Sequence, residues 1–167
     1  VEKVLAETTS IYNEIMFRSV VQIDRPDMTV FYCDDPSVAR KHIERTLETT
    51  GVKGMSAVNG RQLWDEMEKV AAYAKTQNRA PSDFINLILT DIEMPEMDGY
   101  ILTKKIKSDP RFSNIPVIMH SSLSGMSNQK LGQSVGVDEY VPKFEPQRLS
   151  ETLMRRLGVD QDAAVGG

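Results

Sequence analysis

The chain has 167 residues, 40% of them hydrophobic and 26% charged, the composition of a folded domain and not of a disordered or fibrous one. A net charge of −4 with no basic stripe argues against nucleic acid as the main partner. A single cysteine, Cys33, excludes an intramolecular disulfide, and no apolar run reaches the roughly 20 residues of a membrane span, so the expected setting is a reducing, cytoplasmic one.

Residues 1–27 stand outside any regular alternation. Val4, Leu5, Ile11, Ile15 and Met16 suit one amphipathic helix or two shorter ones, and Thr8-Thr9-Ser10 offers a cap for the second. Asp24-Arg25-Pro26-Asp27 is a break, so this segment is expected to be a linker or an appended helix. From Met28 the pattern becomes regular. Thr29 to Cys33 is a predicted strand, followed at once by Asp34-Asp35-Pro36. Pro36 fits the first turn of a helix whose apolar face is Val38, Ala39, Ile43 and Leu47 and which Gly51 ends. A short strand at Met55–Val58 leads through Asn59-Gly60 into a second helix with the stripe Leu63, Met67, Val70 and Ala74.

A polar loop from Thr76 to Asp83 brings the chain to Ile85–Leu89, an apolar run too short for a helix and predicted to be a buried strand. It delivers Asp91, and Met94-Pro95 and Asp98-Gly99 then break the chain. A third helix carries Ile101, Leu102 and Ile106 as far as Asp109-Pro110. Ile115–His120 is the fourth strand, followed by the hydroxyl-rich Ser121-Ser122-Leu123-Ser124. A weak fourth helix near Gln129–Val135 contains Gly132. Asp138–Val141 is a last strand, Lys143 follows it, and Pro146 opens a helix with Leu149, Leu153 and Leu157. Residues 159–167 have little to bury and are expected to be a disordered tail. Five strands alternating with five helices predict an α/β sandwich on a parallel sheet.

If the strands are parallel, their carboxyl ends share one edge. Asp34 and Asp35 follow strand one, Asp91 follows strand three, Lys143 follows strand five, and a hydroxyl follows strand four. Ser121 and Ser122 both qualify for that place, because alternation alone does not separate them. Three neighbouring carboxylates repel one another and resist ionisation. A hard divalent cation such as Mg²⁺ removes that cost, and Lys143 then balances the remaining charge. A carboxylate facing a metal-bound phosphoryl donor is a competent nucleophile, and the product is an acyl phosphate. Helix capping by Asp34 or Asp35 is the competing structural role. His42 and His120 are isolated in the sequence and read as structural or solvent-facing, and Cys33 reads as a core residue.

With these residues in order, residues 28–158 resemble a response-regulator receiver domain. The resemblance implies a flavodoxin-like (βα)5 three-layer sandwich with strand order 2-1-3-4-5. It also implies that Asp91 is the phosphoacceptor, with Mg²⁺ held by Asp34, Asp35, Asp91 and the backbone carbonyl of Glu93. Ser121 and Tyr140 would be the switch residues, and Lys143 would bind phosphate. Two departures stand out: Lys143 is followed by Phe144 where the family usually has proline, and Ser121 stands where threonine is frequent. The runs IPVIMHSSLSG and GVDEYVPKFEP further resemble the receiver half of the CheV chemotaxis proteins. That likeness implies a chemotaxis histidine kinase as phosphodonor, chemoreceptors as further partners, and residues 1–27 as the end of an upstream coupling domain. The rival expectation is an Mg²⁺-dependent phosphohydrolase working through an aspartyl phosphate, with Glu93 as its second acid.

Overall fold

The computed structural model describes residues 28–34, 38–122, 126–143 and 145–158. Five strands, β1 (Thr29–Cys33), β2 (Lys53–Ala57), β3 (Leu87–Thr90), β4 (Val117–Ser121) and β5 (Glu139–Pro142), form one sheet. Every neighbouring pair is parallel, in the order β2-β1-β3-β4-β5. Between and after the strands run α1 (Val38–Thr50), α2 (Gly60–Thr76), α3 (Gly99–Ser108), α4 (Met126–Ser134) and α5 (Pro146–Leu157). The expected flavodoxin-like topology is therefore the observed one.

Side-chain alternation along the strands splits the core in two. Phe31, Cys33, Ile88 and Val117 pack on one face against Leu63, Met67 and Val70 of α2 and Leu102 and Ile106 of α3. Val30, Tyr32, Leu87, Leu89 and Ile118 pack on the other, against Ile43 and Leu47 of α1 and Leu149, Leu153 and Leu157 of α5. The predicted stripes of the second and fifth helices are thus the buried ones. In α3, by contrast, Ile101 lies outside the buried stripe and is exposed.

Element boundaries moved where local bonding competes with apolar pattern. The third strand starts at Leu87 and not at Ile85, because the Ile85 amide is taken by Pro81 O at the end of a short turn. Asn86 instead closes the start of β1, its side-chain oxygen accepting from Thr29 N at 2.7 Å and its amide donating to Thr29 O at 2.9 Å. The fourth strand likewise runs from Val117 to Ser121, one residue beyond His120. The fourth helix begins at Met126, ahead of the expected Gln129, and holds Gly132 at a buried position. A Cβ there would stand 3.2 Å from Val137 Cγ1 and 3.4 Å from Met119 Sδ, so the glycine lets α4 approach the sheet. Residues 1–27 and 159–167, expected to be a connector and a tail, lie outside the described residues.

Candidate phosphoacceptor site

The strand order reverses between β1 and β3: β1 leads outward to β2 on one side, and β3 to β4 and β5 on the other. In open parallel sheets that switch point opens a crevice at the carboxyl ends of the strands. Asp34 directly follows β1 and Asp91 directly follows β3, held in register by Asp91 N donating to Cys33 O at 2.9 Å. Both carboxylates are deeply buried, Asp34 at 2% and Asp91 at 4% exposed. Lys143, just past β5, reaches between them, and its Nζ donates to Asp34 Oδ1 at 2.7 Å and to Asp91 Oδ2 at 2.8 Å. Its own amide donates to Ser121 O at 2.8 Å, tying the lysine's backbone to the end of β4. Burial alone would lower the ammonium's pKa, but the hydrogen bonds it donates to Asp34 and Asp91 outweigh it and hold the group above its ordinary value.

The loop after Asp91 is built tightly. Ile92 N donates to Asp91 Oδ1 at 2.7 Å, and Gly99 N reaches back to Ile92 O at 2.9 Å. A Cβ on Gly99 would meet Asp91 O at 2.1 Å, so only glycine lets α3 start this close to the acid. Asp98 caps α3, accepting from Ile101 N at 2.8 Å. Met94 is half-buried, with its sulfur 2.9 Å from the Cys33 thiol. Burial first, then the charges of Asp34 and Asp91, pushes that thiol up to about 12, so Cys33 is a neutral core residue as expected.

Four predicted residues therefore meet at one edge: Asp34, Asp91, Lys143 and Ser121. Of the two serines open from sequence, Ser121 is fully buried at the end of β4, while Ser122 is exposed. Tyr140 of β5 pairs with Met119 of β4 and is half-buried. Burial foremost raises its phenol pKa, the Ser121 hydroxyl lowers it and the Asp91 charge raises it. Glu93 is exposed. Asp35 lies outside the described residues.

His120, read from sequence as structural or solvent-facing, is 2% exposed with Nδ1 3.8 Å from Asp34 Oδ2. Burial foremost, then the charges of Lys143 and His42, pushes its pKa down to about 4, so the ring is neutral near pH 7. Nothing in one sequence marks it, because the period of the strand places it on the face opposite Ser121.

Among the described residues no three metal-binding side chains converge. Asp34 and Asp91 with Lys143 leave one negative charge in excess, and Mg²⁺ asks for only one or two carboxylates beside waters and phosphate oxygens. The donor set fits a hard divalent cation.

A five-stranded parallel sheet in this order, with two acids and a lysine at its switch point, defines a receiver-type domain. The model of the response regulator receiver domain matches residues 30–154, and the chain belongs to that family. It is 36% identical over 135 residues to the chemotaxis protein CheY1 of Helicobacter pylori, covering 80% of this chain and 99% of that one. It is 30% identical over 128 residues to chemotaxis protein CheV1 of the same organism, covering 77% of this chain but 37% of CheV1. The chain thus spans well under half the length of that relative. The crystal structure of Vibrio cholerae chemotaxis protein CheY4 matches with a TM-score of 0.61 at 25% identity, covering 78% of this chain and 98% of CheY4. The chain is a receiver domain homologous to chemotaxis signalling proteins, and the phosphohydrolase alternative finds no support in these relatives.

Proposed function

We propose that the chain accepts a phosphoryl group on Asp91 from a phosphohistidine of a chemotaxis histidine kinase. The observation that carries the reading is the Lys143 ammonium held between Asp34 and Asp91 at 2.7 and 2.8 Å. One carboxylate is thereby presented beside a fixed positive charge at the carboxyl edge of the sheet. In the transfer an Asp91 oxygen bonds to phosphorus as the phosphorus–nitrogen bond of the donor breaks, and the imidazole leaves with the electron pair. Each Asp91 oxygen already accepts one hydrogen bond, from Ile92 N or from Lys143, and retains a lone pair for attack. Asp34 and Asp91, with Asp35 and the Glu93 carbonyl, would hold Mg²⁺, which supplies Lewis-acid neutralisation of the phosphoryl oxygens. Lys143 supplies a further positive charge where negative charge develops.

Once formed, the phosphoryl group offers acceptors to the Ser121 hydroxyl. Ser121 and Tyr140 then bias a two-state equilibrium of the face made by α4, β5 and α5. The likeness to CheV1 supports a setting in which residues 28–158 are the receiver, residues 1–27 connect it to a coupling domain, and residues 159–167 are a tail. In that setting chemoreceptors are further partners, and the protein signals and does not turn over a substrate. The test is incubation with Mg²⁺ and either phosphorylated kinase or acetyl phosphate. We expect label on the wild-type chain and none on Asp91→Asn; label that persists on the variant would sink the assignment.

A further inference from the structure

β4 carries a second polar residue one position before Ser121. Alternation sends His120 to the face of α1 and α5, where its strand neighbour Ile118 packs and its register partner Val141 is buried. The ring is almost fully buried, yet neither Nδ1 nor Nε2 has a hydrogen-bond partner among the described residues. A buried imidazole without partners is costly, and an apolar residue would serve the packing better. The polar groups around it are few. On α1, His42 Nε2 is engaged with Ser150 Oγ of α5 at 3.2 Å, and Ser150 also meets Thr46 Oγ1 at 3.1 Å. Lys143 offers a positive charge and no acceptor. The Asp34 carboxylate is the acceptor that Nδ1 faces, at 3.8 Å, less than about 1 Å beyond hydrogen-bond distance.

Asp34 meanwhile shares its ammonium with Asp91. A cation arriving at Asp34 competes with Lys143 for that carboxylate, and a donor on the α1–α5 side would then help to keep its orientation. We propose that His120 is a positioning residue: its Nδ1–H closes on Asp34 Oδ2 from the α1–α5 side and holds this carboxylate in place as it takes up Mg²⁺. The inference rests on Asp34 being a metal-binding acid and adds a residue that touches neither the metal nor the phosphoryl group. Side chains that orient a ligand in this way are general partners of metal sites.

The readout is Mg²⁺ binding itself, followed by amide NMR titration with Mg²⁺ alone and no phosphodonor. His120→Leu is expected to weaken Mg²⁺ about 10-fold, and His120→Asn, whose amide nitrogen stands near the Nδ1 position, to recover most of that loss. Because Leu removes two unpartnered nitrogens, its Tm is expected to equal or exceed that of the wild type, which a merely structural role would not produce. A second measurement needs no variant: nitrogen-detected NMR of the wild-type ring is expected to place its proton on Nδ1. An unchanged Mg²⁺ constant in His120→Leu, or a ring proton on Nε2, overturns the proposal while leaving Asp34 as a metal-binding acid. A wild-type chain that binds no Mg²⁺ overturns the metal reading, and the proposal with it.

Discussion

Lys143 is the residue on which the electrostatics of the crevice turn. It is 17% exposed and lies against two carboxylates that are nearly inaccessible to water. Removing the ammonium leaves two buried like charges facing each other, and both resist ionisation. Lys143→Met is therefore expected to lose about 3 kcal/mol of stability without metal, read from urea unfolding. Added Mg²⁺ should stabilise that variant more than the parent, since the metal then supplies the missing positive charge. Equal stability of variant and parent would show that the ion pairs do not hold the edge together. The neighbouring groups stay neutral, Cys33 with its thiol pushed up to about 12 and His120 with its ring held down at about 4. Burial is the foremost cause in both cases.

At the scale of elements, the loop from β3 to α3 converts a strand end into a presented carboxylate. Its geometry depends on backbone contacts, and Gly99 is the tightest of them. An alanine there would drive its Cβ against Asp91 O, a main-chain atom with no rotamer to yield. Gly99→Ala is expected to cost about 2 kcal/mol or more. It should also slow phosphoryl uptake, because relief of the clash moves the Asp91 backbone. A variant with parental stability and uptake rate would mean that the loop shifts freely. The adjoining α2 is locked to the same loop at Gly60, where a Cβ would stand 2.5 Å from Met97 O. Asn59 caps that helix by accepting from Gln62 N at 2.8 Å. Turn and cap residues of this kind are visible in sequence as Asn-Gly and Asp-Gly pairs. Which backbone atoms they approach is not, since Met97 and Asp91 lie on another loop or several residues away.

Over the whole molecule, a single sheet separates two apolar layers, and neither layer is complete without helices distant in the chain. α1 and α5 close one of them through Ile43, Leu47, Leu149 and Leu153, all buried. Leu153→Ala is expected to destabilise by about 3 kcal/mol with one cooperative unfolding transition, measured by urea denaturation with two spectroscopic probes. Non-coincident transitions would show that the α1–α5 layer unfolds on its own. The order of elements, the stripes of α2 and α5, the acids after β1 and β3 and the lysine after β5 were all legible in the sequence. They depend on periodicity and on spacing along one strand or helix, which are local properties. Strand starts at β3 and β4, the burial of Ser121 beside an exposed Ser122, the exposure of Ile101 and the place of His120 behind Asp34 were not legible. Three of the positions involve a neighbour far along the chain: Asn86 bonds to Thr29, Ser121 to Lys143 after β5, and His120 faces Asp34 after β1. The sequence by itself determined which groups gather at the edge of the sheet. Only the tertiary structure decided their distances and partners, because the pairing of β1 with β3, and of β4 with β5, sets which side chains share a buried volume.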